Sequence, residues 1–329
     1  MTGDVLSRLS ALYRRFADEE FRGRSPLYEA ISHGVADNRE TLSFLATLPP
    51  DKWQPNLLLA SVRHVCGLAT GWPDFRENLL ANLDAVRSVV LTHSTQTNEP
   101  ARCATLLPVL AQLPQPLALI EVGASAGLCL LPDFYAYDYA GHIIRPDTVG
   151  SSPPVFACAI NAATPIPTSL PKIVWRAGLD LNPLDASDSV QADWLATLVW
   201  PEQTQRRANL RKALKIAAAC RPRIEHGDLR GDGLAHLCAD APQDATLVIF
   251  HTAVLAYIPE RSEREAFGER AMALCDYWVS NENPRLLPQI AGRAGEASMP
   301  GQYLLSVNGS PVAWTDPHGT TLEWLGARN

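Results

Sequence analysis

No stretch of the chain approaches the roughly 18 uninterrupted apolar residues that a bilayer-spanning helix needs, so no membrane partner is expected. The first residues carry Asp4 and alternate leucine with arginine, unlike a secretory leader. No C-x-x-C pair occurs among the seven cysteines (Cys66, Cys103, Cys129, Cys158, Cys220, Cys238 and Cys275), and their number is odd. Reduced thiols in a cytoplasmic protein are expected, not a disulfide framework or a zinc site. The eight histidines lack H-x-x-x-H spacing, so no metal is expected either. Basic residues do not dominate: 28 Lys and Arg stand against 35 Asp and Glu, a net charge of −7. That leaves no footprint for nucleic acid. Internal repeats, low-complexity tracts and long flexible linkers are also missing.

What the chain does have is material for a core. Of its 329 residues 47% are hydrophobic and 19% charged, ordinary for one large domain or two modest ones. Residues 1–115 read as helical. Val5, Leu9, Leu12 and Phe16 recur at helical spacing, as do Leu79, Leu83, Val86 and Val90. Asn98 before Glu99-Pro100 suits an N-cap, with the helix running through Leu106, Val109 and Leu110.

From residue 116 the texture changes. Apolar strand candidates at 117–122, 172–180, 222–227, 245–251 and 277–282 alternate with helical segments. This β-α-β rhythm predicts a mostly parallel sheet with helices on both faces, over 116–329. Asn308-Gly309 between two strand-like segments predicts a closing antiparallel hairpin. Residues 131–171 interrupt the rhythm with prolines and Phe134-Tyr135-Ala136-Tyr137-Asp138-Tyr139, and read as an insertion. The three tyrosines alternate like one strand face, either packed as core or forming an aromatic wall.

The chemistry concentrates where the first strand ends, in Glu121-Val122-Gly123-Ala124-Ser125-Ala126-Gly127. An acidic residue followed by small residues at alternate positions is how class I methyltransferases hold S-adenosylmethionine. The physical needs are close backbone approach and a carboxylate for the ribose hydroxyls, at the carboxyl ends of parallel strands. Asp180, with Asn182-Pro183 after it, ends the second strand where that carboxylate belongs. Asp228-Leu229 follows the third, where an acid accepts from the adenine amino group. Each alone is a turn or cap signal; with Glu121 they form a series. Asn98 and Arg102 are further cofactor candidates. A Rossmann-like α/β methyltransferase sheet, carrying S-adenosylmethionine and acting on a small molecule, is the expectation. A non-catalytic relative that binds a nucleotide-like ligand is the alternative.

The same letters spell G-x-S-x-G, the nucleophile elbow of serine hydrolases. Asp228 with His251, or Asp276 with His318, would complete a triad. Against this, a helical region precedes the motif, and Glu121 has no evident triad role.

Methyl transfer demands in-line placement more than covalent help, and a base only if the acceptor must lose a proton. His251, ending the fourth strand, is the candidate base; a satisfied core histidine is the bland reading. Tyr257 is a candidate lining residue. Asn281 and Glu282 end the fifth strand and suit a polar acceptor or a helix cap. His318 sits in a Pro-His-Gly turn.

The chain resembles the bacterial proteins catalogued as domain of unknown function 2332. The similar residues are Thr97-Asn98-Glu99-Pro100-Ala101-Arg102, Glu121–Leu128, Tyr137-Asp138-Tyr139, Gly178-Leu179-Asp180-Leu181-Asn182-Pro183, Trp200-Pro201-Glu202, Pro317-His318-Gly319 and Trp324. The resemblance implies a relative of the methyltransferase fold and no established activity. It also implies an asparagine where Cys129 stands.

Overall fold

The structure is a computed structural model that describes residues 2–96, 98–147 and 152–326. Thr97 of the first similar motif, and residues 148–151 of the expected insertion, lie outside the described residues. The chain divides into two compact units, Met1–Thr97 with Val190–Ala208 and Asn98–Ser189 with Asn209–Asn329.

The first unit is helical. Its helices are Thr2–Arg15, Pro26–Asp37, Arg39–Ala46, Pro55–Cys66, Trp72–Ala81 and Leu83–Thr92, joined by most of Ser189–Leu198. Leu9, Tyr13, Leu45, Leu58, Phe75, Leu79 and Val86 share one core with Trp194. The Trp194 indole donates to the Ser94 carbonyl at 3.0 Å, which explains why a distant segment belongs here. Helical spacing predicts a helical region on to residue 115. Helix Cys103–Leu110 instead belongs to the second unit, with all eight of its residues buried.

The second unit is built on a nine-stranded, mostly parallel sheet. The strands of the unit are β1 Leu117–Val122, β2 Ala136–Tyr139, β3 His142–Ile144, β4 Val155–Ala157, β5 Ala159–Ile160, β6 Ile173–Asp180, β7 Arg223–His226, β8 Thr246–Thr252, β9 Tyr277–Glu282, β10 Tyr303–Val307, β11 Ser310–Thr315 and β12 Thr321–Trp324. The large sheet runs β5-β12-β11-β10-β9-β8-β1-β6-β7, with β7-β6-β1-β8-β9 parallel throughout. β1 is buried at all six positions, as expected of a central strand covered on both faces. β9, β10 and β11 are antiparallel neighbours, and the turn between β10 and β11 is Asn308-Gly309, both at positive φ. This is the hairpin that the Asn-Gly pair predicts.

The insertion forms a small sheet, β3-β2-β4, and then contributes β5 to the edge of the large one. Tyr135, Tyr137 and Tyr139 are fully buried. Their hydroxyls donate to the carbonyls of Leu128, Pro132 and Ala104 at 2.8, 2.7 and 2.6 Å. They are core, not an aromatic wall.

Strand order marks a candidate position for a site. From β1 the chain moves outward through β6 to β7, then crosses back to β8 and β9. The reversal falls between β1 and β8, and in such sheets ligands bind in the crevice outside the carboxyl ends at that point.

Candidate functional site

The turn after β1 occupies this position. Gly123 and Gly127 have φ of +77° and +69°, and Ser125 has φ +50°, uncommon for a residue with a side chain. Such a turn needs external ties. Gly123 N–H donates to the Leu179 carbonyl at 2.8 Å, and Ser125 N–H to Asp180 Oδ2 at 2.8 Å. Asp180 Oδ1 accepts from the N–H of Asn182 at 2.7 Å. Each carboxylate oxygen thus holds one backbone N–H and keeps lone-pair capacity. Ala124 is buried and lies against Gly178, where a Cβ would come within 2.5 Å of its own.

Asn98 grips the same turn from the other side. Its Oδ1 accepts from the Ala126 N–H at 3.1 Å, and its Nδ2 donates to Ser125 Oγ at 2.9 Å. It is not the helix cap expected of it. Glu99 takes that part, accepting from the Ala101 N–H at 3.1 Å over the 3-10 turn Pro100–Arg102. Glu99 and Arg102 are both buried.

Arg102 joins three segments. Its Nε donates to the Pro317 carbonyl at 2.8 Å, and Nη1 donates to the carbonyl and Oγ1 of Thr252, each at 3.2 Å. Beside it the turn around His318 presses onto residues 99–102. Gly319, at φ +82°, is so close that a Cβ would lie 2.1 Å from the Ala101 carbonyl oxygen. His318 itself is partly exposed, with Nδ1 3.8 Å from Glu99 Oε2.

Glu121 lies buried at the end of β1, and its Oε2 makes no hydrogen bond. Burial, then the neighbouring Cys129 and Asp180, push its carboxyl well above the usual range against the pull of Arg102. Cys129, where the family resemblance implies asparagine, is raised by its hydrogen bond with Cys103 and by burial.

The remaining candidates lie elsewhere or are already engaged. Asp228 is held below its ordinary range by hydrogen bonds from the Arg230 side chain and backbone, with Nη2 at 2.6 Å. Leu229 is buried in the apolar cluster with Leu179, Leu234 and Phe267. Asn281 is buried, its Oδ1 accepting from Thr315 Oγ1 at 2.8 Å and its Nδ2 donating to Thr105 Oγ1 at 3.4 Å. His251 is fully buried, its ring 5.3 Å from Phe267 and 5.8 Å from Trp278. Its Nδ1 lies 2.8 Å from Glu282 Oε1. Tyr257 is 69% exposed and so is not part of the core. Ser125 Oγ is hydrogen-bonded by the Asn98 amide, while the imidazole of His251 is paired with Glu282; the elbow letters come without a Ser–His pair here.

One residue at the site carried no signal in the sequence. Val254 follows β8, and its Cγ2 lies 2.5 Å from where a Cβ on residue 123 would be. An aliphatic residue after a strand is ordinary, so only the fold reveals that it covers the turn.

Among the described residues no group of three or more His, Cys, Asp or Glu is placed to hold a metal ion, and no helix is long and apolar enough to cross a membrane. The motifs at 98–102, 121–127, 178–183 and 317–319, far apart in sequence, meet at one sheet edge. No curated protein and no solved structure matches the chain. The sequence model of one family matches residues 10–324, and the chain belongs to that family, described as an uncharacterized protein conserved in bacteria, domain of unknown function 2332.

Proposed function

We propose that this chain is an S-adenosylmethionine-dependent methyltransferase acting on a small molecule. The observation that carries the reading is Asp180: a carboxylate at the end of β6, beside the glycine turn at the reversal of strand order. Its two oxygens are fixed by one backbone N–H each, and both retain acceptor capacity for a pair of ribose hydroxyls. This pair of acceptor oxygens fits a nucleoside at its ribose end. The adenine end fits less closely, because Asp228 is engaged by Arg230.

When bound, the cofactor supplies an electrophilic methyl group. The chain's own part is to bind and orient. Asn98 and Asp180 hold the turn from either side, and Arg102 ties residues 252 and 317 to the same edge. In-line placement of the acceptor is the main catalytic demand, and neither His251 nor Glu282 is exposed to take a proton from it. Ligand-induced thermal stabilisation tests the reading. S-adenosylhomocysteine at 100 times its Kd adds about 2.7 kcal/mol to a protein that binds it only when folded. No upward shift in Tm at millimolar ligand would count against the proposal.

A non-catalytic relative that binds a nucleotide-like ligand is favoured by one observation. Val254 fills the space over Gly123. Saturable binding of S-adenosylmethionine with no loss of its methyl group to any acceptor would select this second reading.

A further inference from the structure

The pair of His251 and Glu282 is costly in its position. Both side chains are buried on the sheet face covered by helix Arg261–Leu274, and His251 Nε2 and Glu282 Oε2 make no hydrogen bond. Buried polar groups left without partners are unfavourable, and apolar residues of similar size are often no worse for stability than a buried ion pair. The other oxygen shows what the carboxylate does. Glu282 Oε1 lies 2.8 Å from His251 Nδ1, and it also accepts from the N–H groups of Val254 at 2.8 Å and Leu255 at 3.2 Å. These amides belong to the loop leaving β8, which no helix yet satisfies. Just before them Ala253 sits at φ +57°, a region that residues with a side chain rarely adopt. Its N–H donates to the Asn281 carbonyl at 3.1 Å. A conformation of this kind persists only when its surroundings over-determine it.

The result of the clamp is the placement of Val254. Its methyl group occupies the space in front of Gly123, so the loop and the turn touch at the centre of the candidate site. We propose that Glu282, backed by His251, is a positioning residue: through two backbone amides it holds Val254 against Gly123 and so sets access to the turn. No apolar residue can do this, because none accepts from an amide. The clamp does not depend on which ligand the turn receives.

The test uses the full chain with labelled valine methyl groups, without ligand. In the wild type, the Val254 methyl should give a nuclear Overhauser contact to Gly123 Hα, and the Val254 and Leu255 amides should be protected from hydrogen exchange. In Glu282→Ala the contact should disappear and both amides should exchange about tenfold faster or more, while the Ser125 amide, held by Asp180, should keep its protection. Glu282→Gln, which retains a carbonyl oxygen, should restore most of both signals. Unchanged contact and protection in a folded Glu282→Ala, or equal loss of protection at Ser125, would overturn the proposal. Should the alanine variant fail to fold, Glu282→Asp, one methylene shorter, replaces it with the same expected losses and the same contrary result.

Discussion

Asp180 Oδ2 accepts the backbone N–H of Ser125 at 2.8 Å, across 55 residues of sequence. This bond fastens the end of β6 to the turn after β1, so the carboxylate is both a candidate ligand group and a brace for a turn that contains a strained serine. Asp180→Ala should lower stability by about 1–2 kcal/mol, since two charge-assisted bonds, from the N–H groups of Ser125 and Asn182, are lost at a partly exposed site. Urea denaturation reads the loss. A variant as stable as the wild type would show that the turn holds itself.

A second brace is the contact between the turn at 317–319 and residues 99–102. Gly319 has no room for a Cβ and a φ that side chains rarely adopt. Gly319→Ala should cost about 2 kcal/mol or more. Gly326→Ala, where a Cβ would meet nothing within 4 Å, is the matched control and should be near neutral. Equal denaturation midpoints for the two variants would contradict the close approach.

Stability should also depend on Glu121. Its carboxyl is raised in the folded chain, first by burial and then by Cys129 and Asp180. As pH rises above about 4.3, the ordinary value, the unfolded chain loses this proton while the folded chain keeps it. The folded state then binds more protons, so this group's contribution to stability falls with pH until the folded pKa is passed. Glu121→Gln should remove that slope and gain relative to the wild type as pH increases. Denaturation midpoints from pH 4 to 8 that run parallel for the two proteins would refute the assignment.

Ser125 should not behave as a nucleophile. Its hydroxyl is hydrogen-bonded by the Asn98 amide, and the His251 imidazole is paired with Glu282 on the face where Phe267 and Trp278 pack. A fluorophosphonate probe should leave the protein unlabelled. Covalent labelling lost in Ser125→Ala would establish the hydrolase alternative.

The sheet was legible because hydrophobic period changes abruptly at Leu117, and the five strands β7-β6-β1-β8-β9 lie within two residues of the segments that alternation marks. Asp180 was legible for the same reason: its place at a strand end follows from the pattern. Which face a strand-end residue occupies was not. Asn281 and Glu282 are adjacent letters of one kind, yet successive residues point to opposite faces. Asn281 reaches Thr105 and Thr315, while Glu282 reaches His251. Parity depends on register with β8 and β10, which no local pattern encodes. An amide at Asn98 suits capping a helix and bridging a turn equally, and only the fold puts it on Ala126 and Ser125. Val254 and the placement of Trp194 with the helical core rest on contacts between distant segments, and neither has a sequence signature.

On the proposed function, Asp180 and the turn at Gly123 hold S-adenosylmethionine. Calorimetric titration of the full chain with S-adenosylmethionine and S-adenosylhomocysteine, repeated on Asp180→Asn, tests it most directly. The substitution keeps the side chain's size but removes one of the two acceptor oxygens. Saturable one-to-one binding, weakened at least about tenfold in the variant, is expected, since a hydrogen bond to a charged group contributes about 1.5–3 kcal/mol. No heat with either ligand, or equal affinity in both proteins, would contradict it.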